Sequence, residues 1–455
     1  MLSINKLSIN TVAPLNQPSP QNEFSVSIPN TASNIREVEL ERELQTLNCE
    51  KRNKLFREIL RNIPFDAEWI KCLGYLFVGI LGSFASTGIY SLIPLHNLFE
   101  NPQYWYEFPL QVIFALFSNW AAMVILRCKY YMNTNYIYTY KTFFIMWIIA
   151  GSILFLVYAT SYLIWTMGLK YQYPVPLNGY MTAALGMISF YLILWHRFPL
   201  KWRKNKKFKK RLISFLIAMT LNQAVVFEFV GVTKLLVLFY GDYQWIIAIF
   251  LPLIRELNIW ISNIWASKAS NGDMTSVKVT SYYVVSTTHA LFLAYTVGGN
   301  ATFATSVVIV GSDFLINIFI CLWVIYKKKK HTEDVDNQIE FLQQLVVGEL
   351  VEFMVPIAYL VCLLSAYYGP NAHMIGNIGN SYWHFQAIED IGYAIKSIAV
   401  LFLFDFGSTV VSALLLWLFC RINLFSAFVA LQQEFGISFA VILMTNLNAV
   451  SIFLF

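Results

Sequence analysis

The chain has 455 residues, 57% of them hydrophobic and 13% charged, about half the charged share of an ordinary soluble domain. A mean hydropathy of +0.55 excludes an ordinary soluble protein. The net charge of +6 comes from basic residues flanking apolar runs, so it reads as membrane orientation rather than as a surface for nucleic acid.

Residues 1–34 are rich in Asn, Ser and Pro and predict a disordered cytosolic tail. They contain no apolar signal core, so the first membrane helix is expected to do the targeting. Residues 35–66 predict a charged, amphipathic cytosolic helix, with Leu40, Leu44, Leu47, Leu55 and Ile59 among its apolar positions. It is read as a solvated lead-in to the first span. Lying on the membrane surface, or pairing weakly with another chain as a coiled coil, is the alternative.

From residue 67 to 455 the pattern predicts an all-α, polytopic membrane bundle of ten or eleven transmembrane helices. The apolar runs are 70–95, 109–126, 142–168, 177–195, 212–240, 245–265, 279–297, 301–326, 345–367 and 398–420, with 436–455 as an eleventh. Residues 424–434 are expected to lie in the interface plane. Alternate loops carry the basic residues: Arg127, Lys129 and Lys141, then 197–211, then Lys268 and Lys278, then 327–330, then Arg421. That phase predicts a cytosolic N-terminus. The bilayer is the obvious partner, and the basic segment 197–211 exceeds what orientation needs. Its cations suit anionic lipid headgroups, each worth about 1 kcal/mol near such a surface. Which membrane holds the chain is not encoded here.

Cys49, Cys72, Cys128, Cys321, Cys362 and Cys420 form no CxxC and no disulfide framework. There is no HExxH, GxSxG or Walker A, so nothing indicates an enzyme, a cofactor or a metal-ligand motif. The Asp-Arg-Tyr and Asn-Pro-x-x-Tyr signatures of rhodopsin-like receptors are also missing.

Ionisable residues inside the spans carry the functional reading, because such groups are costly and usually face the bundle interior. Glu228 lies fourteen residues before Asp242 and Glu256 fourteen after it. In a helical hairpin both sit about 21 Å below the turn. Arg255 is adjacent, and a Glu228–Arg255 pair is expected. Asp313 has the same offset from Gly299, and Asn317 shares its helix face. Ser286, Thr287, Thr288 and His289 lie at similar depth. Glu349 and Glu352 stack on one face, four residues short of Pro356 in the case of Glu352. Beside the Glu352 carbonyl that Pro356 leaves without its helical partner, the two carboxylates suit a cation or proton near the inner mouth. The reading put first is that both reach the inner interface and answer the lysines at 327–330. Asp405 has no local partner and demands one on another helix, a proton or a cation. Together these residues predict a polar site near the midplane of a solute or ion transporter, with proton coupling as one option and the coupling ion left open. The alternative is a sensory or signalling receptor, or a scaffold, that moves no substrate. The passenger and the oligomeric state are left open.

Overall fold

A computed structural model describes residues 74, 77, 80–82, 102–132, 137–168, 178–238, 243–270, 274–300, 302–330, 335–368, 391–420 and 422–454. The tail and helix expected over 1–66, most of the span at 70–95 and the loop holding His373 and His384 lie outside these residues. Every element among the described residues is helical. This is the form in which a chain satisfies its own backbone groups when water is excluded.

Among the described residues ten long helices follow one another. They are α1 (Ser118–Met132), α2 (Tyr140–Thr166), α3 (Asn178–Arg197), α4 (Lys206–Leu238), α5 (Gln244–Ala269), α6 (Met274–Tyr295), α7 (Phe303–Lys330), α8 (Val335–Tyr368), α9 (Ile391–Leu415) and α10 (Leu424–Leu454). Among the described residues five segments are long and apolar enough to cross a membrane: Tyr140–Thr166, Gln244–Ala269, Ala304–Tyr326, Leu342–Ser365 and Ile391–Cys420. They coincide with the third, sixth, eighth, ninth and tenth expected spans. The final helix gives a sixth if its two limbs count together, for it bends by 75° between Ser426–Gln432 and Glu434–Leu447. That bend falls where the sequence changes from an interfacial to a spanning pattern.

The exposed and buried faces are arranged for lipid outside and polar groups within. In α8 the most apolar window is 78% buried, against 33% in α2 and in the α9 segment. So α8 is central and the other two are peripheral. The periphery shows Phe144, Ile148 and Leu156 on α2 and Leu403, Phe404 and Leu414 on α9. Such a surface belongs against acyl chains. At the centre stands α6, less apolar than any of the five and buried on every side, including Thr280, Ser281, Ser286, Thr287, Thr288 and His289. It packs on α1, α4, α5, α8 and α10. A helix enclosed by other helices has no need of a lipid-facing side, and its hydroxyls supply interhelical hydrogen bonds instead. Ser281 pairs with Ser262 of α5 (Oγ to Oγ 2.6 Å), and Ser262 donates to Asn222 Oδ1 of α4 at 2.9 Å.

Three π-turns interrupt the helices, at Ile113–Phe117, Thr296–Asn300 and Leu416–Cys420. The first shows how such a defect is accommodated. Trp147 of α2 donates its indole N–H to the Ile113 carbonyl at 2.7 Å. Gly151, one turn further along α2, admits the Ile113 side chain so closely that a Cβ there would sit 3.0 Å from it. Trp147→Phe keeps the ring but removes the donor, and should cost about 1 kcal/mol, read as a lower Tm of the detergent-solubilised protein. An unchanged Tm would mean that the π-turn is held by packing alone.

Candidate functional site

Arg255 sits midway along α5, on the stripe that also buries Ala248, Leu251, Ile259 and Ser262. Its guanidinium is 3% exposed and reaches across to two other helices. Nη1 donates to Asp313 Oδ1 of α7 at 2.8 Å and lies 3.5 Å from Glu352 Oε1 of α8. Nε lies 3.3 Å from Glu256 Oε1, on the neighbouring residue, whose side chain is 43% exposed. Nη2 has no hydrogen-bond partner.

The acidic partners are each placed by a polar row on an otherwise apolar helix. On α7, Asp313, Asn317 and Cys321 recur every four residues and are buried. Asn317 donates through Nδ2 to Glu352 Oε2. On α8, Glu349 and Glu352 form one stripe and are 1% and 5% exposed. On α9, Asp405 begins a stripe that continues through Ser408, Thr409 and Ser412, all buried. Carboxylate oxygens of Asp313, Glu352 and Asp405 lie within 4.8 Å of one another. Glu349 is in electrostatic reach of Asp313 and Arg255, beside the hydroxyls of Thr409 and Ser412. Neither of its oxygens makes a hydrogen bond of ordinary geometry. Tyr282 of α6 faces Arg255 and Glu352. It is admitted by Gly348, where a Cβ would stand 3.1 Å from its hydroxyl.

The electrostatics are unbalanced. Four buried carboxyl groups face one buried guanidinium, with Glu256 at the margin. Two carboxylates 4.8 Å apart repel by roughly 3 kcal/mol at an effective dielectric near 20. Three such pairs amount to roughly 10 kcal/mol, as large as the whole stability of a typical domain. One arginine does not offset that. The cluster needs further positive charge, as protons or as a bound cation. Asp313, Glu352 and Asp405 offer three oxygen ligands, the donor set of hard cations.

Six of the residues expected to form a midplane site therefore come together: Arg255, Asp313, Asn317, Glu349, Glu352 and Asp405. Two do not. Glu228 is exposed on the bundle surface and accepts from Asn258 Nδ2 at 2.8 Å. The expected Glu228–Arg255 pair is not formed, because equal depth in a hairpin leaves helix rotation open. Phe229, not Glu228, is the inward residue there, packing on His289 and Phe292. Glu256 lies about 100° round the helix from Arg255 and touches the cluster only through Nε. Glu349 and Glu352 are buried within the cluster, so of the two placements weighed for them the interfacial one is not what the structure shows. Ser286, Thr287, Thr288 and His289 are buried on α6, and His289 Nε2 and Ser286 Oγ lack partners. Sequence reasoning missed Tyr282, Thr409 and Ser412. The polar spacing Asp405, Ser408, Thr409, Ser412 was the signal that would have found the latter two.

No protein-family model matches the chain, and neither does any curated protein or solved structure.

Removing the guanidinium strands charge in a buried place, so Arg255→Met should cost roughly 3–5 kcal/mol. Asp313→Asn in the same background should recover part of the loss, since it removes one of the stranded carboxylates. Thermal melts of the two single variants and the double variant check this. Strictly additive effects would show that the two side chains do not interact.

Proposed function

We propose that the chain is a multi-pass transporter of ten or eleven spans, its N-terminus in the cytosol. A cation or proton binds among Asp313, Glu352 and Asp405, with Glu349 next in line. The observation that carries this reading is the surplus of buried acid over Arg255. A purely structural ion pair needs one carboxylate. Three converging carboxylates cost stability unless something positive and exchangeable joins them. The helices that supply them also suit movement. Asp313, Asp405 and Arg255 ride on the outer helices α7, α9 and α5, whereas Glu352 rides on the central α8. A shift of α7 and α9 against the core changes the spacing of the acidic groups directly. The row Asp405, Ser408, Thr409, Ser412 extends the polar surface along α9 by two turns, and it offers oxygen atoms to a passenger leaving the carboxylates. Anionic lipid at 197–211 is the partner proposed outside the bundle.

Reconstituted protein in liposomes tests the reading. Proton entry is followed with trapped pyranine under a valinomycin-set potential, and divalent entry by Mn2+ quenching of trapped calcein. Wild-type protein should move at least one of these ions. Asp405→Asn and Asp313→Asn should each lower that flux at least tenfold while inserting and folding normally. No protein-dependent flux of either ion, or flux untouched by both substitutions, would overturn the proposal.

A further inference from the structure

Outside the acidic cluster a second buried guanidinium stands with the opposite imbalance. Arg127, expected in a cytosolic loop beside Lys129, belongs instead to α1 and has no exposed surface. Its Nη2 donates to the Tyr131 hydroxyl at 2.5 Å, one helical turn on. Its Cζ lies 5.0 Å from the centre of the Tyr131 ring. Nε and Nη1 have no hydrogen-bond partner, and among the described residues no carboxylate forms an ion pair with it.

The surroundings do not neutralise this charge. Tyr131 meets Phe215 of α4 edge-on, with ring centres 5.3 Å apart. Tyr191 of α3 lies in electrostatic reach of Arg127, and its own hydroxyl is engaged with the Leu216 carbonyl and Thr220. Cys128 and Met123 are fully buried beside it along α1. Trp120, on the same stripe of α1, also has an unpaired indole N–H. The unpaired atoms of this stripe are thus all donors, whereas those around Asp313 are chiefly acceptors. A guanidinium taken out of water without a counter-charge costs several kcal/mol, and unpaired buried donors add to that.

We propose that Arg127 holds a small inorganic anion of the halide class, chloride in a cell, enclosed between α1, α3 and α4. Nε–H or Nη1–H, which point to opposite edges of the guanidinium, supplies one donor, and the Tyr131 hydroxyl, which accepts from Nη2 between them, has its own proton to give. The positive edges of aromatic rings suit an anion as well. A phosphate fits less well. It carries more charge and four oxygens, and so needs donors on all sides, whereas Phe215 and the aliphatic residues here offer none. The fully enclosed position favours a monatomic ion that leaves the helices closed around it. The anion would act as the missing counter-charge that keeps α1 docked on α4. This inference does not rest on the transport reading of the Arg255 cluster.

Thermal unfolding of the full chain in detergent tests it, with chloride titrated against gluconate at constant ionic strength. Chloride, and bromide likewise, should raise the wild-type Tm saturably by a few degrees. Arg127→Met should abolish that dependence. Where that variant fails to fold, Arg127→Lys, which keeps the charge but loses the fan of N–H groups, should raise the half-saturating chloride concentration several-fold. A wild-type Tm equal in chloride and gluconate, or a chloride dependence unchanged in these variants, would overturn the proposal. So would stabilisation by inorganic phosphate at lower concentration than chloride.

Discussion

The contact of Arg255 with Asp313 and Glu352 is the constraint around which the bundle is ordered. It ties α5 to α7 and α8 through groups that cannot be left alone in a dry interior. Once the guanidinium is fixed, the rest of the polar interior follows. Asn317 must present an N–H to the far oxygen of Glu352, and Gly348 must leave room for Tyr282. The carboxyl of Asp405 must enter from α9 at short range. All of these placements require the rotations of five helices, α5 to α9, about their axes to agree. A bundle held only by apolar contacts in lipid has no such requirement, because lipid tails compete equally well for the same surfaces.

Much of this was legible in the sequence and some was not, for reasons that lie in geometry. Hydropathy located the helices that bear Arg255, Asp313, Glu352 and Asp405, and counting residues from the turns put Arg255 and Asp313 at related depths. Counting does not fix azimuth. Arg255 and Glu256 occupy nearly the same height, yet one is buried and the other is half open. Phe229 and Glu228 differ in the same way. The three-carboxylate constellation was hidden because its members sit on three helices separated by up to 92 residues of chain (Asp313 to Asp405), with no motif spacing to betray them. The run 279–297 read as a span like its neighbours, and nothing in its hydropathy marked α6 as central. Its serines, threonines and histidine are what a helix enclosed by its neighbours needs. Arg127 misled in the converse sense, since a basic residue at the end of an apolar run reads as an anchor until its burial is seen.

The two charged centres lie against a shared partner. α6 packs on α5 and α8, which carry the acid-rich cluster, and on α1, which carries Arg127. The hydroxyls of Ser281 and Ser262 and the amide of Asn222 form one hydrogen-bonded row from α6 through α5 to α4. Interior polar groups thus join helices across the core while the outer faces of α2, α5 and α9 remain apolar. That division is the inverse of a soluble fold, and it follows from the solvent on each side.

On the proposed reading, Arg255 has a second role beyond tying helices together. A cation that enters among Asp313, Glu352 and Asp405 meets a site where a tethered positive charge already sits. Both cannot hold the same oxygens at once, for the guanidinium Nη1 already donates to Asp313 Oδ1 at 2.8 Å and lies 3.5 Å from Glu352 Oε1. The arriving ion must displace Nη1, and Arg255 then keeps its contact with Glu256 through Nε, already at 3.3 Å. Glu256 is open enough to remain solvated while it holds the displaced arginine, so the exchange leaves no unpaired charge in the interior. Displacement also severs the link from α5 to α7. A bundle whose ion site and interhelix tie are the same atoms must loosen one to fill the other, and that coupling is what an alternating-access device requires.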